Sequence, residues 1–269
     1  MSDDILLSLR GEKLYGDDFS PVEIQEWFDD EQEAYANLGA KDRASYRYAY
    51  HALNTEHGYR HLPARHFKRV LSFGGAYGHE LLPLIHRVQD VVISDPSEAL
   101  EVSEISGVPV RYTKPQMDGS IPFPKGEFDL LTCFGVLHHI PNVSAVVAEF
   151  YRCLAPGGYA LVREPIISMG DWRKPRRGLT MRERGIPLAI LRELLRTVGF
   201  RIVRETLCVF PPMSRLHWFL KEPVYNYRWI VRWDRVVSAL FAWNLRYHAT
   251  NLAQKLRPAA AFYVLTKPE

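Results

Sequence analysis

Two adjacent histidines, His138 and His139, follow one predicted strand, and Glu164 ends the next. An imidazole titrates near neutral pH and accepts a proton from a hydroxyl, so the pair is suited to general-base catalysis. The carboxyl ends of parallel strands share one edge of a sheet, where ligands bind, and Glu164 is expected there to orient a histidine or hold a substrate hydroxyl. The alternatives are structural: a histidine, His138 more than His139, shapes the loop, or Glu164 pairs with Arg163 or another arginine.

A glycine-rich turn follows the first predicted strand. The segment Phe73-Gly74-Gly75-Ala76-Tyr77-Gly78 leads into a predicted helix, whose N-terminus would add partial positive charge to the close approach that glycines allow. Asp95 ends the next strand 21 positions after Gly74, where a carboxylate accepts hydrogen bonds from both hydroxyls of a ribose. This order favours a nucleoside ligand over the alternatives, a plain tight turn and a helix cap at Asp95-Pro96-Ser97.

The elements that must position these residues alternate along the middle of the chain. Short apolar runs predict strands, and helical patterns fill the intervals, as in a parallel sheet with crossover helices. The strands are predicted at Arg69 to Phe73, Val91 to Asp95, Val108 to Tyr112, Phe128 to Phe134, Tyr159 to Glu164, Phe200 to Phe210 and Ala261 to Thr266. Further helices are predicted after Asn142 and between Pro187 and Gly199. The predicted fold class is α/β, a doubly wound, mostly parallel sheet of seven strands.

Two extensions accompany this core. Residues 1–67 are predicted to form an N-terminal helical extension, and residues 68–211 the α/β core, with the last core strand in residues 258–269. Residues 212–257 lie between the last two strands as a helical insertion or lid, and a connection of this length is usually functional. In the N-terminal extension, Ser20-Pro21-Val22-Glu23 is a capped helix start, and Trp27, Phe28 and Tyr35 are available for packing.

Taken in order, these segments resemble the class I S-adenosylmethionine-dependent methyltransferases. The resemblance covers most of residues 68 to 210 and is closest to small-molecule, sugar-type O-methyltransferases. The segments that carry it are 73–78, 93–97, 121–123 with 128–129, 135–141 and 154–158. It implies a Rossmann-like fold, S-adenosylmethionine as cofactor, and a His pair that acts with the acid at the fifth-strand end.

The resemblance also implies a set of cofactor-binding residues. They are Phe73, Gly74, Gly75, Ala76, Gly78, Asp95, Pro96, Ser97, Met117, Asp118, Phe134 and Gly135. The family often places an acid near the adenine amino group; the matching position is Met117, but we expect the neighbouring Asp118 to serve. The alternative for Asp118 is a turn residue in Asp118-Gly119-Ser120.

Two positions depart from the family pattern. Ser72 stands where an acidic residue is usual, and Ala76 stands where glycine is usual. The missing carboxylate at Ser72 predicts weaker cofactor binding and is the main sign of a cofactor-binding protein without catalysis. A nicotinamide-dependent dehydrogenase is the rival interpretation, but its G-x-G-x-x-G spacing does not match small residues at 74, 76 and 78.

Charge is distributed unevenly. Residues 1–40 carry eleven acidic and two basic residues, whereas residues 212–257 carry eight basic and two acidic ones, within a net charge of +3. A basic cluster after the fifth strand predicts a grip on phosphate or carboxylate, and hence an anionic acceptor, unless the loop is simply solvated. The cluster is Arg173, Lys174, Arg176 and Arg177. Nucleic acid is not an expected partner, because the N-terminal region is strongly acidic.

The insertion contains four of the six tryptophans. Trp229, Trp233, Val236, Val237 and Leu240 share one helical face, next to a basic stripe of Arg228, Arg232 and Arg235. We expect this segment to be a helical cover packed over the substrate cleft. Contact with a membrane surface through residues 226–247 is the alternative, which the sequence does not favour.

Composition sets the broad class. With 47% hydrophobic and 24% charged residues, the chain is an ordinary globular protein without a span-length apolar run. The acidic start lacks the features of a secretory signal, so a cytoplasmic location is expected. Cys133, Cys153 and Cys208 form no C-x-x-C pair, and no metal site is predicted. The sequence does not predict the oligomeric state.

These features predict a methyltransferase that uses S-adenosylmethionine and modifies a small molecule. The His pair favours transfer to a hydroxyl oxygen, since a hydroxyl acceptor benefits from a base. Two alternatives have the same fold: transfer to nitrogen or carbon, and binding of S-adenosylmethionine without catalysis.

Overall fold

The computed structural model describes residues 3–38, 46–172, 174, 176 and 178–269. Its centre is a single sheet of eight strands. They are β1 (Phe67–Phe73), β2 (Val88–Ser94), β3 (Glu104–Ile105), β4 (Val108–Thr113), β5 (Phe128–Phe134), β6 (Leu154–Pro165), β7 (Arg201–Cys208) and β8 (Ala260–Thr266). Their spatial order is β3-β4-β2-β1-β5-β6-β8-β7. The predicted α/β class with a mostly parallel sheet is confirmed.

Strand β1 lies near the centre of the sheet and pairs in parallel with β2 and β5. The pairs β2–β4 and β5–β6 are also parallel, whereas β8 runs antiparallel between β6 and β7. The carboxyl ends of β1, β2, β5 and β6 therefore meet at one edge. This arrangement brings the glycine-rich turn, Asp95, the His pair and Glu164 to the same end of the sheet.

All seven predicted strands are present, and β5 has the predicted bounds. The eighth strand, β3, is a two-residue edge strand that pairs antiparallel with β4. It exists because Ser106 and Gly107, with φ of 50° and 82°, form a two-residue turn. Positive φ at both central residues is typical of the tight turns that join hairpin strands. The prediction of seven strands missed this hairpin.

Seven α-helices surround the sheet within the described residues. They are α1 (Asp3–Arg10), α2 (Pro21–Leu38), α3 (His51–His57), α4 (Val143–Cys153), α5 (Leu188–Thr197), α6 (Pro211–Ser214) and α7 (Arg228–Leu240). Helices α4 and α5 cover one face, where Val146, Val147 and Leu191 join the core. Leu53 of α3 and Ile230 of α7 join the core of the opposite face. The sheet is thus packed on both faces, as predicted.

The helix predicted after Gly78 is wrong for this chain. In the described structure, single 3₁₀ turns at His79–Leu81 and Ile85–Arg87 connect β1 to β2. Pro83 accounts for this, because it lacks an N–H donor and its ring would clash with the carbonyl four residues earlier in an α-helix. Only another such turn, Glu98–Leu100, lies between β2 and β3. The glycine-rich turn therefore lacks the helix N-terminus expected to add positive charge.

Helices α1, α2 and α3 precede the sheet within the described part of the N-terminal extension. The Ser20 N–H and hydroxyl both donate to the Glu23 carboxylate, so α2 begins with a capping box. Trp27 of α2 is fully buried, and its ring packs against those of Tyr15 and Phe19. The side chain of Tyr35 lies outside the described residues. The Tyr15 ring in turn packs against Trp172, which joins this aromatic cluster to the rest of the protein.

The insertion packs against the protein through a different face from the one predicted. Ile230, Val231 and Asp234 are the inward residues of α7, whereas Trp229 and Trp233 are 55% and 60% exposed. Asp234 fixes this orientation, since its carboxylate accepts the Val209 and Phe210 N–H groups at 2.8 and 2.7 Å. In the described chain, no helix has both the length and the apolar character needed to cross a membrane.

Candidate active site and cofactor cavity

A cavity of about 360 Å³ lies at the carboxyl edge of the sheet. Its wall includes nine of the predicted site residues: Phe73, Gly74, Ala76, Asp95, Pro96, Ser97, Met117, Gly135 and His139. Helix α2 contributes Ile24, Trp27, Phe28 and Glu31 to the same wall. The insertion, residues 212–257, contributes none, so the cover over this cavity is the N-terminal helix and not the expected segment.

The glycine-rich turn bends away from the sheet immediately after β1. Gly74 has a φ of +68°, and a Cβ added there would overlap the Val136 side chain. Gly78 has the same φ and packs against Ile105, away from the cavity, so it shapes the turn without lining the site. Ala76 adopts a φ of 50°, which explains how the family's glycine position tolerates a methyl group here. The turn thus requires glycine at positions 74 and 78.

Asp95 follows β2 and is only 6% exposed. Its Oδ2 accepts the Ala76 N–H at 3.0 Å, and its Oδ1 accepts the Ser97 N–H at 3.1 Å. Burial raises the pKa of Asp95, although both backbone hydrogen bonds oppose this change. Each carboxylate oxygen keeps a further lone pair, so the group can accept the two hydroxyls of a ribose while it holds the turn.

The adenine-side prediction for Asp118 is wrong. Asp118 lies outside the cavity wall, and its carboxylate accepts the Ser120 N–H at 2.8 Å, which is the turn role given as its alternative. Met117 is on the wall, and its carbonyl accepts the Asn142 side-chain amide at 3.2 Å. The matching position of the family thus holds a thioether and no acid in this chain.

Glu80 supplies a carboxylate beside Ser72, where the family usually has an acid. The Ser72 hydroxyl donates to the buried Glu80 carboxylate, and burial raises the pKa of Glu80 to about 7. A Cβ on Gly75 would overlap Ser72 and also reach Glu80. The Glu80 carboxylate therefore lies beside the position where the family usually has an acidic side chain at residue 72. The sequence pattern alone did not reveal this arrangement.

A second cavity of about 250 Å³ adjoins the first at Phe73, Gly74 and Ala76, and two more of the predicted residues, Gly75 and Phe134, line it. The buried Arg163 guanidinium lies on its wall, 3.9 Å from the Tyr50 ring centroid, and donates to Asn54 at 3.0 Å. Thr132, also on this wall, has a buried hydroxyl that no described group satisfies. The paired cavities thus fit a nucleoside joined to an amino acid, with Asp95 at one end and Arg163 at the other.

His138 is buried between two carboxylates. Its Nδ1 lies 2.9 Å from Glu164 Oε2, and its Nε2 lies 3.4 Å from Glu183 Oε1. Burial alone would lower the pKa of His138, but hydrogen bonds to these carboxylates raise it to about 9. These contacts favour the charged imidazolium over the neutral ring that a base requires. His138 also lies on neither cavity wall, so the structure gives it the contacts of the loop-shaping alternative and does not support a catalytic role.

Glu164 is fully buried and belongs to the same loop. Its carboxylate accepts the N–H groups of Val136, Leu137 and His138 at 2.9, 3.0 and 3.3 Å. It lies on neither cavity wall, and its oxygens are engaged by these N–H groups and by the His138 ring. Glu164 orients a histidine, as predicted, but the histidine is His138 and not His139.

His139 is the histidine that reaches the cavity wall. Its Nδ1 lies 3.0 Å from Glu31 Oε2, and the Thr180 hydroxyl donates to the other Glu31 oxygen. Sequence analysis missed Glu31, which lies 108 residues away on α2. A Glu at helical spacing from Trp27 is the only signal in the sequence, and it does not distinguish Glu31 from the other acids of this helix.

Arg184 is a second residue that the sequence did not reveal. Its guanidinium is fully buried and donates to the carbonyls of Tyr15, His138 and Ile140 at 2.9, 3.2 and 2.9 Å. It also lies 5.1 Å from the centroid of the Trp27 ring. Arg184 thereby holds together the histidine loop and the N-terminal extension that supplies Glu31.

The predicted anion-binding loop is only partly described. Arg173 and Arg177 lie outside the described residues. Arg176 donates to the carbonyls of Met169, Thr180 and Met181, which commits its guanidinium to holding its own loop. The described part of the cluster therefore supports a structural role for Arg176.

His138, His139 and Glu183 bring ligand atoms within 4.8 Å of one another, the one group of this kind among the described residues. A metal ligand must be a neutral imidazole with an available lone pair. Both nitrogens of His138 face carboxylates, and the raised pKa favours its imidazolium. This charge state opposes metal binding, and the group is better described as an ion-pair network.

The sheet order, the glycine-rich turn and the buried aspartate after β2 define a Rossmann-like domain for a nucleoside cofactor. A family model described as a methyltransferase domain matches residues 40–222. The chain belongs to this methyltransferase-domain family, and its fold is that of the S-adenosylmethionine-dependent methyltransferases. The predicted family and cofactor are confirmed; the closer resemblance to sugar-type enzymes stays a prediction.

Curated relatives match parts of the chain. A ubiquinone biosynthesis O-methyltransferase of Pseudomonas aeruginosa is 34% identical over 99 residues, which cover 34% of this chain and 41% of that protein. A probable S-adenosylmethionine-dependent methyltransferase of Mycolicibacterium smegmatis is 33% identical over 145 residues, 51% of this chain and 52% of that protein. The chain thus spans about half, or less, of the length of these relatives.

Solved structures show the same fold. A putative S-adenosylmethionine-dependent methyltransferase of Listeria monocytogenes superposes with a TM-score of 0.55 at 16% identity, over 81% of this chain and 99% of that chain. Phosphoethanolamine N-methyltransferase 2 of Haemonchus contortus, in complex with S-adenosylmethionine, gives a TM-score of 0.55 at 17% identity, over 81% and 52%. At these identities the likeness concerns the fold alone.

We expect Asp95→Ala to weaken S-adenosylmethionine binding ten- to hundredfold. The substitution removes a charged acceptor for the ribose hydroxyls, worth about 1.5 to 3 kcal/mol. Titration calorimetry measures the change, and Asp118→Ala is the matched control because Asp118 lies outside the wall. An unchanged Kd in a folded Asp95→Ala protein would remove Asp95 from the cofactor site.

Proposed function

We propose that the protein transfers a methyl group from S-adenosylmethionine to a hydroxyl oxygen of a small molecule. The observation that carries this proposal is the His139–Glu31 pair on the wall that also presents Gly74 and Asp95. When bound, S-adenosylmethionine supplies a methyl group on a positively charged sulfur, and the carbon–sulfur bond breaks, leaving its electron pair on sulfur, as the acceptor oxygen bonds to that carbon. A hydroxyl acceptor must lose its proton during this transfer.

His139 is the group suited to take the proton. When its Nδ1–H is donated to Glu31, the lone pair of the neutral ring is on Nε2. The proton of the acceptor hydroxyl passes to Nε2, and the imidazolium formed is stabilised by the Glu31 carboxylate. Thr180 holds the second Glu31 oxygen, so the carboxylate keeps its orientation during the transfer. His139 thus acts as the base and Glu31 as its positioning residue.

The apolar side chains that line the cavity favour a particular kind of acceptor. Ile24, Trp27, Phe28 and Ile140 line it with apolar or aromatic side chains. Such a surface favours an acceptor with a flat or apolar body that bears a hydroxyl, oriented by a few polar groups. The name of the ubiquinone biosynthesis O-methyltransferases supports oxygen as the methylated atom.

We also propose that the protein acts in the cytoplasm. All three cysteines are free and buried. Free thiols are usual in a reducing compartment, which supports this location.

Methyl-labelled S-adenosylmethionine tests the proposed reaction. The purified protein is incubated with matched acceptors that differ in one group: a phenol, the corresponding aniline, a hydroxylated sugar, and a phenol with an added carboxylate. We expect label on the hydroxyl compounds. Label on the aniline alone would support nitrogen as the acceptor atom. Tight binding of S-adenosylmethionine without turnover, including on cell-extract compounds, would favour a non-catalytic binder.

A further inference from the structure

The insertion presents an outward-facing apolar surface, which we call the aromatic patch. It consists of Trp218, Phe219, Trp229, Trp233, Val236, Leu240, Trp243, Leu252 and Leu256. These are nine of the fourteen exposed large hydrophobic side chains among the described residues, and Trp218, Phe219 and Trp243 are 77%, 85% and 79% exposed. Scattered exposed apolar residues are normal, but a concentration of this kind marks an interaction surface.

Helix α7 carries part of the aromatic patch on its solvent-facing side. Trp229, Trp233, Val236 and Leu240 recur at helical spacing and form one exposed stripe. Ile230, Val231, Asp234 and Ser238 form the buried stripe on the opposite side. The helix is therefore apolar toward solvent and is anchored inward partly through a carboxylate. Its folding into the core does not use the tryptophans, so their exposure needs another explanation.

The insertion that carries the aromatic patch also exposes many basic side chains. The exposed charged residues of the insertion are Arg215, Lys221, Arg228, Arg232, Arg246 and Lys255, against a single acid, Glu222. Arg228 and Arg232 of α7 lie 2.8 and 3.5 Å from the Glu56 carboxylate of α3. An exposed apolar surface in a segment rich in exposed basic residues is complementary to a surface that is apolar within and negatively charged outside.

We propose that the aromatic patch docks the protein on an anionic lipid bilayer. Tryptophan is favoured at the membrane–water interface, where its ring reaches the apolar layer while its N–H stays hydrated. Nearby lysines and arginines add attraction to anionic headgroups. A second copy of the chain fits less well, since a two-fold interface would bring the exposed basic residues of the two insertions close together.

Docking through this surface is separate from the proposed methyl transfer. The aromatic patch contributes no residue to the walls of the two described cavities. A variant of the patch should therefore bind S-adenosylmethionine as the parent does. Calorimetry with S-adenosylmethionine consequently reports folding, while vesicle binding reports the patch.

Vesicle flotation tests the proposal. The full chain is mixed with phosphatidylcholine vesicles that contain or lack phosphatidylglycerol, and we expect binding to the anionic vesicles with a blue shift of tryptophan emission. The triple variant Trp229→Ser, Trp233→Ser, Leu240→Ser should bind them about tenfold or more weakly, because it removes apolar area from the interface. The control is Val22→Ser with Val203→Ser, which removes exposed apolar residues elsewhere and should bind as the parent does.

The exposed basic residues of the insertion allow a second, independent test. Arg215→Gln, Lys221→Gln and Arg246→Gln together should weaken binding to anionic vesicles about tenfold or more, as should added salt. Absence of vesicle binding by the parent protein, or equal binding by the tryptophan variant, would overturn the proposal. A concentration-dependent dimer in sedimentation velocity that the tryptophan variant loses, without vesicle binding, would assign the patch to a second copy instead.

Discussion

His139→Ala should lower kcat about a hundredfold or more while the Kd for S-adenosylmethionine changes little. A positioned base contributes roughly this factor to transfer from a hydroxyl, whereas cofactor affinity depends on other contacts. Glu31→Gln should weaken the same step, because the amide cannot stabilise the imidazolium by charge. The double variant should lose less than the product of the single losses, since the two side chains act as one unit. Single-turnover rates and calorimetry measure the two quantities separately.

Glu26→Gln is the matched control for Glu31→Gln. Glu26 lies on the same helix, but it is absent from the cavity wall and faces Arg182 at 3.5 Å. If His139→Ala keeps the parent turnover, catalysis rests on positioning alone. An acceptor already nucleophilic at neutral pH, such as an amine, would then be the better assignment.

The strands could be predicted because each one is a local signal. Runs such as Phe128–Phe134 are apolar on both faces, and their order fixes which ends meet at the site. The failures have local causes that outweigh periodicity. Pro83 replaces a crossover helix by 3₁₀ turns, and Asp234 turns the polar side of α7 inward because it satisfies two backbone N–H groups. A helical wheel that ranks residues by apolarity alone cannot anticipate such a carboxylate.

The cofactor-binding residues could be predicted for the same reason, since Gly74 and Asp95 directly follow predicted strands whose carboxyl ends meet at one edge of the sheet. The catalytic side was not. The pairing of His139 with Glu31, and of Arg184 with the Tyr15 carbonyl, joins segments that are far apart in the chain. A sequence identifies ionisable residues, but it does not say which carboxylate faces which imidazole. The pairing of carboxylates with imidazoles determines the roles of His138 and Glu164.

Glu164→Gln should lower the free energy of unfolding by about 3 to 5 kcal/mol, a range typical of removing one partner from a buried ion pair. The substitution leaves the buried His138 ring without its nearer counter-charge and weakens three backbone N–H contacts. Glu205→Gln is the control, because the Arg192–Glu205 pair is partly exposed and should cost about 1 kcal/mol or less. Urea unfolding followed by circular dichroism measures both.

The pH dependence of stability distinguishes this ion pair from simple packing. Hydrogen bonds to Glu164 and Glu183 raise the pKa of His138 from 6.5 to about 9 in spite of its burial. A group with a raised pKa stabilises the folded state fully below its unfolded pKa, and this contribution is lost as the pH rises through the folded pKa. The parent should therefore lose stability between about pH 6.5 and 9, and Glu164→Gln should lose less over that window. His138→Gln should remove the same dependence. Equal losses in all three proteins would show that His138 does not hold its proton through Glu164.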